Sequence, residues 1–241
     1  MEMYIPRVYN KELDFDDEFL ADVKAQCLTW AREVAQTYKE TGERTHPHLT
    51  FRPRSFHAVD RTPWDEWDKV VDQFGADKAR EWKRRQIKML REFGEVSRII
   101  IDQYDLPEDM RQYIKEETYL NFGIPKEESL PVVQIQDGGE LLHPHRGHAR
   151  LASFFCLLEG EGEVTKWYDE TIPFKHYPEY YIPDMAKLEV AEEKSLTPNV
   201  WTLFNHEIWH SVHRDGDAGV RINFGIDFKT MNVNQAMEYL T

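Results

Sequence analysis

The sequence predicts an α+β protein: a double-stranded β-helix (jelly roll) with N-terminal helices packed against it. Two patterns carry this. Up to about Glu117 the apolar residues recur every three or four positions, the period of an amphipathic helix. Beyond Tyr119 they gather in short runs separated by Gly-rich turns, which indicates an antiparallel sandwich or small barrel. The expected organisation is a helical region over 1–117 and a β domain over 118–241 that ends in a short helix.

In chain order, Asp16, Asp17 and Glu18 precede Phe19, Val23, Cys27, Trp30, Val34 and Tyr38, an amphipathic helix that should stop near Gly42. From Thr45 to Thr62 there is no clear period, and a loop or extended arm is expected. A helix can begin around Pro63-Trp64, and a further one is expected from Ala76 to about Ile101, through Trp82, Ile87, Leu90, Phe93, Val96 and Ile99. Lys78, Arg80, Lys83, Arg84 and Arg85 give this last helix a basic face, the pattern of a solvated surface or, alternatively, of a phosphate or partner site. Pro107-Glu108-Asp109 opens another helix, expected to run to about Glu117.

Strands are expected at Val132–Gln136, Leu151–Leu158, Val164–Tyr168, Val200–Phe204 and Val220–Phe228. Turns at Asp137-Gly138-Gly139, Glu159–Glu163 and Arg214–Gly219 separate them. Phe174 to Lys194 reads as a long insertion, and a short helix is expected after Asn234.

Composition excludes several functions. The formal net charge is −14, and a nucleic-acid partner needs a positive face. No apolar run is long enough to span a membrane, and the N-terminus lacks the order of a signal peptide. Cys27 and Cys156 are too few for a disulfide scaffold and sit in apolar surroundings, so buried free thiols in a reducing, cytoplasmic compartment are expected. Aromatics at 13% argue against disorder. Nucleophilic hydrolysis has little support, because no Gly-x-Ser-x-Gly occurs.

Histidine placement carries the chemistry. Of ten histidines, His143, His145, His148, His176, His206, His210 and His213 fall within the β region. Taken singly, His148, His176, His206 and His213 are ordinary surface or hydrogen-bonding residues. His145 and His210 are the candidate metal ligands, because clusters before two different strands can meet at one open end of a jelly roll. Imidazole nitrogens suit Fe(II), Mn(II) or Zn(II). Arg221, between Val220 and Ile222, is the second clue. A guanidinium pointing into a barrel needs an anion, and a dicarboxylate bound beside a metal would supply one. The alternative is an outward-facing arginine on an edge strand.

His145 with the apolar strand after it, Trp201-Thr202-Leu203-Phe204-Asn205, His210-Ser211-Val212 and Arg221 with Ile222 to Phe228 together resemble the 2-oxoglutarate/Fe(II) oxygenase superfamily. Within it they are most similar to the aspartyl/asparaginyl β-hydroxylase-like and prolyl-hydroxylase-like branches. The resemblance covers 130–228. It implies Fe(II) held by His145 and His210, 2-oxoglutarate gripped through its distal carboxylate by Arg221, and oxidation of a substrate C–H bond. The superfamily pattern is His-x-Asp/Glu, and here Gly147 occupies the carboxylate slot.

Three readings of Gly147 stay open. Iron can have two protein ligands, with water or an anion in the vacancy; chloride there would make a halogenase. His143 or His148 can supply a third nitrogen, giving a cupin-type centre, although Ala149 stands where a cupin motif expects Glu. Or the fold has lost its metal and serves binding. Trp167, Tyr168, Trp209 and the Tyr-rich stretch to Tyr181 could wall the pocket or simply pack, and Arg150 is a further candidate for a carboxylate. A small-molecule or peptide substrate is expected; nothing separates the two.

Overall fold

A computed structural model describes residues 8–15, 18–51, 75–77, 80, 84, 97–137, 141–145, 150–170, 188–214 and 219–240, without the side chains of 97, 98, 137, 141–143 and 170. These residues form an α+β fold with two antiparallel sheets. In chain order the elements are β1 (Asn10–Glu12), α1 (Ala21–Thr41), β2 (Ser97–Ile101), α2 (Glu108–Phe122), β3 (Ser129–Asp137), β4 (Leu141–His145), β5 (Ala152–Glu159), β6 (Glu163–Glu170), β7 (Leu188–Lys194), β8 (Trp201–Asn205), β9 (His210–Arg214), β10 (Arg221–Phe228) and α3 (Val233–Glu238). The first sheet has the order β1-β8-β5-β10-β3-β2, the second β4-β9-β6-β7.

Helix α1 forms because Val23, Cys27, Trp30, Ala31, Val34 and Ala35 line one face, and that stripe is buried. It ends at Gly42, whose φ of 71° lets its N–H reach back to the Tyr38 carbonyl. Helix α2 starts after Pro107 with Glu108 and Asp109 in its first turn, where acidic side chains suit the helix dipole. The two helices and β10 share a core. Phe15, Phe19, Phe122, Phe154 and Trp201 meet there ring to ring, joined by Ile222, Phe224, Ile226 and Phe228 of β10.

Strand alternation then fixes what lies on the other face. With 222, 224, 226 and 228 turned to the helices, Arg221, Asn223 and Asp227 turn to the second sheet. Strand β5 is buried along almost its whole length, because Phe154 and Cys156 pack under the helices while Phe155 and Leu157 pack between the sheets. Trp167 of β6 and Phe204 of β8, with ring centroids 5.2 Å apart, close the space between the sheets.

Several expectations are corrected. The helix expected from Ala76 to Ile101 does not reach its end: Ser97–Ile101 is strand β2, paired with β3 at the edge of the larger sheet. Three consecutive isoleucines suit a strand, and Ile99 and Ile101 reach the core from it. Residues 76, 77, 80 and 84 are helical, and the rest of that stretch, like the expected helix at Pro63-Trp64, lies outside the described residues. Helix α2 runs on to Phe122 and stops at Gly123, φ 72°. The expected insertion ends in a strand, β7, an exposed and charged edge; Phe174–Tyr181 and His176 lie outside the described residues. The 1–117 stretch contributes two strands as well as helices. No helix among the described residues is long and apolar enough to cross a membrane.

Candidate functional site

His145 ends β4 and His210 begins β9, and the two are directly paired across the strands. The register between β4 and β9 shifts between Leu142 and His145, so three steps on β4 face two on β9. That bulge contains Pro144, which has no N–H to lose from the ladder, and it turns His145 toward His210. Their ring centroids are 4.3 Å apart, with the planes at 55°. His210 is buried, and its Nδ1–H donates to the Ile208 carbonyl at 2.8 Å. In that tautomer Nε2 is the electron-pair donor on the opposite side of the ring, the arrangement of a metal-ligating imidazole.

His206 lies beside this pair, 5.5 Å from His210 ring to ring, and its Nε2 is 2.8 Å from Ser153 Oγ. Among the described residues no group of three or more His, Cys, Asp or Glu side chains is placed to hold a metal. Gly147, Ala149 and His148 are outside the described residues, as is the side chain of His143, so the third position of the centre stands as an expectation. The donor set present is two nitrogens on one inward face, which fits a first-row divalent ion with open positions.

Along β6 and β9 the inward face continues away from the histidines. Trp167 pairs with His210, Thr165 with Val212 and Glu163 with Arg214. Across the gap, Arg221 pairs with Gln136, and Asn223 with Gln134 and Leu157. Paired residues share a face, so the inter-sheet space runs from the histidine pair to Arg221, about 13 Å along β9 at the usual strand rise.

Arg221 is only 3% exposed. Its Nε donates to Glu163 Oε2, and Phe155 lies 5.5 Å beneath the guanidinium. The anion that a buried arginine requires is thus supplied, on this side, by the chain itself. Gly160, φ 153°, sits so close that a Cβ would lie 3.4 Å from Arg221 Cγ and 3.2 Å from Leu157 Cδ1.

Further polar atoms of this space that are buried with no hydrogen-bond partner among the described residues include Glu163 Oε1, Thr165 Oγ1, Trp167 Nε1, Asn223 Oδ1 and Gln136 Nε2. Orphaned polar atoms are costly unless something fills the space between them. Apart from Trp167, these residues escaped the sequence reading. Their signal was there: Glu163-x-Thr165, Gln134-x-Gln136 and Arg221-x-Asn223 are polar pairs two positions apart, each around an apolar residue.

Arg150 is taken up by Asp227, with Nη1 at 2.8 and 2.6 Å from the two carboxylate oxygens. Trp167 is fully buried between the sheets. Tyr168, on the opposite face, hydrogen-bonds Ser211 (2.7 Å), which is 2.9 Å from His213 Nε2. Burial, and then nearby Lys166, hold the His213 imidazole below its ordinary pKa. A separate open cleft lined by Glu33, Thr37, Thr45, His46 and Pro47 lies beside α1 and shares no residue with the inter-sheet space.

No family model and no curated protein matches this sequence. Solved structures that it is similar to include Escherichia coli ycfD, at 12% identity and a TM-score of 0.39 over 61% of this chain and 38% of that one. YcfD described as a ribosomal oxygenase in complex with cobalt and 2-oxoglutarate gives 11%, 0.32, 54% and 31%. Vicilin from Corylus avellana, hazelnut, gives 8%, 0.33, 57% and 29%. The chain spans well under half the length of these proteins, and likeness at this level, shared by an oxygenase and a vicilin, decides no chemistry.

Proposed function

We propose that this chain is a non-haem Fe(II) oxygenase of the double-stranded β-helix (jelly-roll) kind, and that it uses a 2-oxo acid, 2-oxoglutarate, to hydroxylate a small-molecule or peptide substrate in the cytoplasm. The observation that supports it best is one inter-sheet space with an imidazole pair at one end, on the second sheet, a buried arginine at the other, on the first, and unsatisfied polar atoms facing the gap. His145 and His210 would hold Fe(II), and Arg221 would anchor the far end of the 2-oxo acid. When bound, the iron and the 2-oxo acid supply the oxidising chemistry that the side chains lack.

The chain's own residues do the rest. Ile208 fixes the tautomer of His210, so that Nε2 faces the metal position. Trp167, Phe155 and Phe204 wall the space against water, which strengthens each polar contact inside it. Thr165 and Asn223 offer hydrogen bonds to the bound acid along its length.

The test is anaerobic addition of Fe(II) and saturating 2-oxoglutarate, read as the weak visible charge-transfer band of a metal-bound 2-oxo acid and as heat of binding. The wild type should give both. His210→Ala should abolish the band and weaken metal binding on the order of 100-fold or more, and Arg221→Ala should weaken 2-oxoglutarate binding while leaving metal binding in place. Tight Zn(II) binding with neither band nor 2-oxoglutarate binding would overturn the proposal in favour of a cupin-type metal protein.

A further inference from the structure

Trp167 stands beside the candidate metal position. On β6 it pairs directly with His210 of β9, so the two side chains leave the same face of the second sheet with Cβ atoms about 5 Å apart. Phe204, from the opposite sheet, lies against both rings: its centroid is 5.2 Å from that of Trp167 and 4.9 Å from that of His210. The indole is fully buried. It packs among Phe155, Leu157, Leu196, Phe204 and Ile208, none of which has a side chain that accepts a hydrogen bond. Its Nε1–H has no acceptor among the described residues.

A buried indole N–H has given up its bond to water, and a phenylalanine would fill the same space without that cost. The cost is removed once a ligand brings an acceptor to this position. In a 2-oxo acid the group nearest the metal is its 2-oxo function with the adjoining carboxylate, and an ionised carboxylate is the stronger acceptor of the two. Thr165, the next inward position of β6, has its Oγ1 buried in the same unsatisfied state. Hydrogen-bonding groups therefore line this strand from His210 toward the end where Arg221 lies.

We propose that Trp167 is a ligand-binding residue: its indole N–H donates a hydrogen bond to the metal-side carboxylate of the bound 2-oxo acid. The proposal rests on the reading of this space as a 2-oxo acid site. It adds the residue that receives the near end of the acid, as Arg221 receives the far one. Trp201 provides the contrast. Its Nε1 is buried without a partner as well, but it belongs to the core beneath the helices, on the other face of the first sheet, where a ligand between the sheets does not reach it.

The test uses the full chain loaded with Zn(II), which is diamagnetic, and 2-oxoglutarate as the probe. Binding is measured by calorimetry, and the indole N–H resonances, assigned in the wild type, are followed by NMR. On addition of 2-oxoglutarate the Trp167 indole proton should move downfield, as a proton does on entering a hydrogen bond, while that of Trp201 stays in place. Trp167→Phe keeps an aromatic ring and deletes the donor. It should weaken 2-oxoglutarate binding by roughly 10-fold, the scale of one hydrogen bond to a charged acceptor, and leave Zn(II) affinity unchanged. Trp201→Phe should leave both affinities unchanged.

A Trp167 proton that does not move downfield, a Trp167→Phe variant that keeps the wild-type affinity, or an equal loss in Trp201→Phe overturns this inference while leaving the 2-oxo acid site standing. If Trp167→Phe does not fold, the wild-type resonance decides alone. Failure of 2-oxoglutarate to bind the Zn(II)-loaded wild type overturns the site and the inference together.

Discussion

Arg150 reaches across 77 positions of sequence to Asp227, with Nη1 between the two carboxylate oxygens, and both side chains are about 15% exposed. Asp227 is paired in register with Ser153, which in turn meets His206 beside His210. The ion pair therefore braces the mouth of the space between the sheets. Breaking a mostly buried pair from one side leaves a charge that has lost its counterion, whereas replacing both partners by apolar residues is often nearly neutral. Arg150→Ala should cost about 3 kcal/mol in urea unfolding, and the double variant Arg150→Leu/Asp227→Leu should recover most of it. A single-variant loss below about 1 kcal/mol would class the pair with ordinary surface contacts. The sequence marked Arg150 as a candidate for a ligand's carboxylate, and the structure instead engages it with a carboxylate of the chain itself. Its partner was invisible because nothing local ties residue 150 to residue 227.

The elements that carry the site were the hardest to see. Strands β5, β8 and β10 announce themselves because helices cover one face and the second sheet the other, so nearly every position is apolar. Strands β4, Leu-Leu-His-Pro-His, and β9, His-Ser-Val-His-Arg, have no such run. Inward positions of β9 hold His210 and Arg214 as well as Val212, and His145 ends β4, so polar side chains break up the hydrophobic signal that identifies a strand. Strand β2 failed in the opposite direction, since Val96 and Ile99 continued a helical period into a run of isoleucines whose branching favours a sheet edge.

The turn between β5 and β6 shows the same economy in backbone form. Gly160 adopts φ 153°, and any Cβ there would press on Leu157 and on the stem of Arg221. Gly160→Ala should therefore destabilise the fold by roughly 1–2 kcal/mol. Because the crowding falls on Arg221, it should also weaken binding of a 2-oxo acid without touching metal affinity. Unchanged stability would mean that the turn relaxes freely and does not position the arginine.

At the scale of the whole molecule, the sequence conveyed the class, helices followed by antiparallel strands, and that the helices pack against the strands, but not on which face. Strand order could not be read, because neighbours such as β1 and β8 or β3 and β10 are joined only by contacts distant in sequence. Nor could the sequence decide whether the helical stretch is a separate unit. Its first strand pairs with β8 and its second with β3, while Cys27 of α1 and Cys156 of β5 are buried in one apolar cluster. Burial pushes the two thiols up to about 12 and about 11, so neither is a thiolate near neutral pH and neither is a nucleophile in the native state. This gives a direct test of cooperativity. In the folded protein both thiols should resist alkylation for hours. In rising urea they should become reactive together, at the midpoint of the global transition, because exposing either one means lifting α1 from the sheet. Labelling of Cys27 well before Cys156 would show that the N-terminal helix detaches on its own. The two would then be energetically separate units despite their shared core, and the helical stretch could be removed with the site left intact.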